Sequence, residues 1–112
     1  MNGRKRKHKH HFSSEYTMLS ILEYLCINSL NAPISKYHIL TKIPSIKLQR
    51  QDRVSDILDI LEGNGFIESI KTTESTFYRS TDLGNDAYVK WVKNFLSFVR
   101  FSYQVKDDKE RY

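Results

Sequence analysis

The sequence predicts a mostly helical α+β domain with a three-helix core, one β-hairpin and a long C-terminal helix. Three observations carry this. Apolar residues recur at helical spacing over residues 18–26, 54–61 and 88–105. Between the last two stretches, two short runs rich in β-branched and aromatic residues flank a polar segment. A further short segment, residues 36–42, lies between a serine suited to capping and a proline two residues beyond its end.

The first helix starts near Ser14, and its core stripe is Met18, Ile21, Leu22, Leu25 and Cys26, at i, i+3, i+4, i+7 and i+8. It is expected to end near Asn28–Asn31. Pro33 restricts the residue before it, so Ala32-Pro33-Ile34 should be extended and supply a short strand. Ser35 caps a second helix from Lys36 to about Lys42, expected to bury Tyr37, Ile39, Leu40 and Ile43. Pro44 stops it. After a turn at Ser45-Ile46-Lys47, a third helix is expected from about Leu48 to Glu62. It is held inward by Val54, Ile57, Leu58 and Leu61 and ended by Gly63-Asn64-Gly65. Residues 66–70 and 76–80 read as two strands with Thr72 to Ser75 at the hairpin tip. Thr81 caps the last helix, with Asp82 favourable beside its dipole, and that helix is expected to reach about Val105.

Helix, short strand, helix, turn, helix, hairpin and helix is the order of a winged helix-turn-helix, with the hairpin as the wing. Two junctions sharpen the likeness. Leu61-Glu62-Gly63-Asn64-Gly65-Phe66-Ile67 resembles the passage from recognition helix to first wing strand in many winged-helix regulators. Tyr78-Arg79-Ser80-Thr81-Asp82-Leu83-Gly84 is similar to their passage from the last wing strand into the closing helix. Over roughly residues 15–105 the chain resembles small archaeal winged-helix DNA-binding proteins of the Sso-ten-a type, and more loosely PadR and MarR regulators. The resemblance implies a third helix in the major groove and a homodimer paired through the last helix as an antiparallel coiled coil. The division expected is a disordered basic arm over 1–12, a winged-helix domain over 13–86, a dimerisation helix over 87–106 and a frayed tail over 107–112.

The net charge of +5 is unevenly distributed. Residues 1–11 hold Arg4, Lys5, Arg6, Lys7 and Lys9 and no acid. Residues 36–53 hold Lys36, Lys42, Lys47, Arg50 and Arg53 against Asp52 alone. Residues 54–86 hold seven acids against Lys71 and Arg79. Cations confined in this way suit a polyanion-facing patch, and double-stranded DNA is the partner expected.

Stepping about 100° per residue from the inward stripe puts Gln49, Asp52, Arg53 and Asp56 outward on the third helix, with Gln51 and Ser55 on a flank and Arg50 near the core edge. Arg53 has the chemistry for guanine O6 and N7, and Gln49 or Gln51 for adenine N6 and N7. Lys47 and the helix N-terminus suit a phosphate. A plain solvated face accounts for the same pattern, and Asp52, Asp56 and Asp59 repel phosphate along the far half. On the wing, Lys71, Thr73, Ser75 and Arg79 are candidates for backbone contact, with Glu74 opposing them. The arm would release counterions on a duplex and fits a minor groove. A localisation-like patch or a solubilising tail are the competing readings.

On the last helix, Tyr88, Trp91, Phe95, Phe98, Ser102 and Val105 step by alternating threes and fours, a heptad seam widened by Val92 and Val99. This is the expected dimer interface; folding back of the whole stripe on its own domain is the alternative.

No enzyme is expected: there is no phosphate-cradling glycine loop, paired-carboxylate site or nucleophile–base set. Cys26 is alone and reads as a core thiol. His8, His10 and His11 have no preformed geometry for a metal, so neither metal nor cofactor is expected. The mean hydropathy is -0.55, no apolar run approaches a membrane span, and the basic start lacks a signal peptide's apolar stretch. A cytoplasmic, nucleoid-associated chain is the expectation. A winged helix serving protein–protein contact, or RNA binding, remains open beside DNA.

Overall fold

The computed structural model describes the backbone of residues 13–110 and the side chains of residues 13–103. The basic arm, with Arg4, Lys5, Arg6 and Lys7, lies outside the described residues. So does the side chain of Val105.

Helix α1 (Ser14–Asn28) starts at Ser13, whose hydroxyl accepts the Tyr16 N–H at 3.0 Å. Its inward face is Thr17, Ile21, Leu22 and Leu25. The chain then forms strand β1 (Ile34–Ser35) and helix α2 (Lys36–Lys42). Ser35 caps α2 by accepting the His38 N–H at 3.0 Å. Tyr37, expected inside, is 71% exposed. It lies two residues from the buried Ile39, about 200° round a helix, so a two-turn helix cannot bury both.

Helix α3 (Gln51–Gly63) starts three residues later than its apolar periodicity predicts. The intervening chain winds in single turns, with Ile46 N–H and Lys47 N–H both donating to the Ile43 carbonyl at 2.9 Å and Gln49 N–H to Ile46 at 2.9 Å. Ile46 is fully buried there and ties the turn to the core. At the far end, Phe66 N–H reaches the Leu61 carbonyl at 3.0 Å and Gly65 N–H the Glu62 carbonyl at 2.9 Å. Gly65 has φ +83°, so this is a Schellman ending that a residue without Cβ adopts at no steric cost.

Strands β2 (Ile67–Lys71) and β3 (Thr76–Ser80) form the hairpin, and β1 pairs with the other edge of β3 in an antiparallel sheet ordered β1-β3-β2. Ile67 lies opposite Ser80 and Lys71 opposite Thr76. The tip is closed by Thr72, whose N–H donates to the Ser75 carbonyl at 2.8 Å and whose hydroxyl accepts the Ser75 N–H at 3.0 Å. Ser29, just past α1, accepts the Ser80 N–H through its hydroxyl at 3.2 Å, joining the helix end to the sheet.

Helix α4 (Asp82–Glu110) is rooted by Thr81. The Thr81 hydroxyl accepts the Gly84 N–H at 3.0 Å and donates to the Gly65 carbonyl at 2.6 Å. The helix continues past the end expected at Val105, since no glycine or proline interrupts residues 104–110. The core comprises Ile21, Leu22, Leu25, Ile39, Ile43, Ile46, Val54, Ile57, Leu58, Leu61, Ile67 and Tyr78. Every described helix and both longer strands except α4 contribute to it. The fold is α+β, mostly helical: a helix-turn-helix followed by a β-hairpin wing and a long closing helix.

Candidate nucleic-acid interface

The turn before α3 and the first turns of α3 bring together the residues singled out for base and phosphate contact. Lys47 and Gln51 are exposed, and Ser55 is half-buried. Gln49 is not outward: it is buried, 8% exposed. Because α3 starts at Gln51, helical stepping does not extend back to position 49, and the turn directs that side chain inward. Its amide nitrogen donates to the Thr17 hydroxyl and to the Ser45 carbonyl, both at 3.0 Å. Its carbonyl oxygen accepts from the guanidinium of Arg53 and lies 3.3 Å from the Thr17 hydroxyl. Direct reading of adenine by Gln49 is therefore excluded.

Arg50, expected near the core edge, points into solvent and forms a fork with Asp52, Nε to Oδ1 at 3.1 Å and Nη2 to Oδ2 at 2.9 Å. Arg50 is the residue preceding α3, outside the helical repeat that placed it inward. Hydrogen bonding to Arg50 holds the Asp52 carboxyl below the ordinary range, and the same bond raises Arg50. The Asp52 carboxylate also accepts the Arg53 N–H at 2.8 Å. The N-terminus of α3 thus already carries an anion of its own, at the position expected to suit a phosphate. Asp56 and Asp59 are exposed further along the helix.

On the wing, Lys71, Thr73 and Ser75 are exposed at and beside the hairpin tip. Arg79 is half-buried on β3 and stands opposite Glu68 in the antiparallel register.

Helix α4 divides by exposure. Near its root, Tyr88 is half-buried and donates to Glu23 on α1 at 2.8 Å. Cys26 packs half-buried on the same side, its sulfur 3.9 Å from the Gly84 carbonyl. Burial pushes the Cys26 thiol up, partly offset by a hydrogen bond with Ser80. Farther out, Trp91 is 44%, Phe95 49% and Phe98 66% exposed, Ser102 is exposed, and Val92 and Val99 are half-buried. The Trp91 and Phe95 rings stack with centroids 5.4 Å apart. Among the described residues, the aromatic members of the seam beyond Tyr88 stay exposed.

Two features lay outside the reading of the sequence. Thr17 is fully buried against Gln49; its signal was its place four residues before Ile21 on the same helical face. Val89, Leu96 and Tyr103 form a further exposed row at seven-residue spacing, so the uncovered apolar surface of α4 is wider than one seam. Among the described residues, no cluster of three or more His, Cys, Asp or Glu could hold a metal ion, and no helix is long and apolar enough to cross a membrane.

No family model and no curated protein matches the sequence. Solved structures do match the fold. AF1382 from Archaeoglobus fulgidus superposes with a TM-score of 0.61 at 19% identity, over 76% of this chain and 89% of that one. A PadR family transcription regulator from Clostridium difficile gives 0.64 at 15% identity, over 80% and 97%. ZitR from Lactococcus lactis gives 0.59 at 13% identity, over 85% and 68%. At these identities what is shared is the fold.

Proposed function

We propose that this protein binds double-stranded DNA through its helix-turn-helix and wing, and acts as a transcription regulator paired with a second copy through α4. The observation that carries the reading is the start of α3, where Lys47 and Gln51 are exposed and Arg53 follows on the first turn, while Asp52 is already forked with Arg50 and Asp56 and Asp59 fall farther along the helix. In a winged helix this is the part of the recognition helix that meets base edges. A Clostridium difficile protein of the same fold is a PadR family transcription regulator, which supports the assignment. The basic arm adds sequence-independent phosphate attraction, and Lys71, Thr73, Ser75 and Arg79 serve the backbone beside the wing. The exposed aromatic face of α4 supports the pairing, because apolar surface of this extent on a small domain marks an interface. An antiparallel pair in the manner of Sso-ten-a proteins would set two recognition helices on one duplex.

Electrophoretic retardation of duplex DNA across a salt series tests this. Affinity should fall steeply with salt, and replacing the five arm cations by glutamine should make the slope shallower. Absence of retardation at about 50 mM salt would sink the DNA reading. The second reading, a protein-binding winged helix, draws on the exposed Asp56 and Asp59, which a protein partner tolerates better than phosphate. Competition with duplex RNA separates the remaining nucleic-acid alternative.

A further inference from the structure

The buried amide of Gln49 satisfies every hydrogen-bonding group it has. Its two N–H groups go to the Thr17 hydroxyl and the Ser45 carbonyl, and its oxygen faces the Thr17 hydroxyl and the Arg53 guanidinium. Polar networks inside a small core are costly unless complete, and when complete they hold their members in one arrangement. An apolar side chain of similar size would fill the same space between α1 and the turn. The amide adds a fixed acceptor for Arg53, on the first turn of α3.

We propose that Gln49 is a positioning residue for DNA reading: anchored by Thr17 and the Ser45 carbonyl, it sets the direction of the Arg53 guanidinium and thereby selects one guanine. This deepens the DNA reading above and rests on it. An arginine on a solvated helix samples many rotamers, and a bidentate contact to guanine O6 and N7 needs one of them. Gln49 supplies that restriction from inside the fold.

The test uses the full chain. The preferred duplex is recovered by selection from a randomised pool, for the parent and for Arg53→Gln, and the guanine whose preference disappears in Arg53→Gln is identified. Discrimination at that base pair is then measured for Thr17→Val, Thr17→Ser and Gln49→Met, alongside melting temperature and affinity for a random duplex. Thr17→Val keeps the shape of the buried side chain and removes the anchor; the Gln49 amide is then incompletely bonded, so the melting temperature falls while the fold and the random-duplex affinity persist. Its discrimination should fall about fivefold. Gln49→Met should fall at least as far, and Thr17→Ser should retain the parent's preference. Parent-like discrimination in both Thr17→Val and Gln49→Met, with duplex binding intact, overturns the role of Gln49 alone. An unchanged selected sequence in Arg53→Gln overturns it as well. Failure of the full chain to bind any duplex overturns the DNA reading and this inference together.

Discussion

Gly84 stands so close to Phe66 that a Cβ on Gly84 would lie 2.0 Å from the Phe66 carbonyl oxygen. That oxygen also accepts the Thr81 N–H at 3.1 Å. The contact brings the first turn of α4 against the start of the wing, and only glycine allows the approach. Gly84→Ala should therefore destabilise the domain by about 3 kcal/mol, because the obstacle is backbone. Gly63 provides the contrast, since a Cβ there meets nothing within 4 Å. Gly63→Ala should be neutral or stabilise by up to about 1 kcal/mol through helix propensity. Denaturant unfolding of both variants checks the pair, and a mild Gly84→Ala would refute the close approach.

Thr81 works at both ends of the same junction, capping α4 and holding the Gly65 carbonyl. Thr81→Val should cost about 1–2 kcal/mol, while Thr81→Ser should stay within about 0.5 kcal/mol of the parent. Equal midpoints for the two variants in chemical denaturation would remove the cap from the account.

The Arg50–Asp52 fork is fully exposed and contributes little to folding. Its effect falls on DNA affinity, since it occupies a cation and places an anion at the α3 N-terminus. Asp52→Asn should tighten duplex binding severalfold at low salt and steepen the dependence on salt by about one ion. Retardation assays at several salt concentrations measure both quantities. Weaker binding in this variant would argue that Asp52 itself contacts the partner.

Alkaline pH should destabilise the fold in two stages. Burial raises Cys26, and burial raises Tyr78 and Tyr88 with help from neighbouring carboxylates: Asp59 and Glu62 for Tyr78, Glu23 for Tyr88. Each group keeps its proton to higher pH when folded than when unfolded. The stability they contribute is complete below the ordinary thiol range, about 8.5, and declines as pH rises through it, with the tyrosines following above about 10. Cys26→Ala should flatten the first stage and leave the second. Melting temperatures between pH 7 and 11 decide the matter.

Pairing through α4 predicts that Trp91→Glu with Phe98→Glu yields a monomer by sedimentation while the circular dichroism of the fold persists. Trp91 is 44% and Phe98 66% exposed and neither belongs to the core, so the domain loses little by their change. An unchanged mass refutes this interface.

Much of this architecture can be read from local chemistry. Ser35 and Pro44 bound α2, Gly65 demands the left-handed ending of α3, and Thr81 starts α4, because each requirement is met by residues within a few positions. The candidate interface was less legible. Gln49 and Arg50 sit just ahead of α3, where a turn replaces the helical repeat, so stepping back from Val54 turned both the wrong way. The network joining Thr17 to Gln49 spans 32 positions and leaves no local pattern. The Arg50–Asp52 fork was equally hidden, because composition counts charges without saying which are already paired.

Among the described residues, helix α4 is anchored near its root, at Thr81, Gly84 and Tyr88, while its 29 residues extend roughly 43 Å. A rod clamped at one end is a lever. Tilting it by about 5° at the Gly84 contact would swing its tip by nearly 4 Å, by that length and simple geometry. The few atoms between Gly84 and Phe66 therefore set the bearing of everything fastened farther out, and a disturbance too small to unsettle the core would be magnified at the tip.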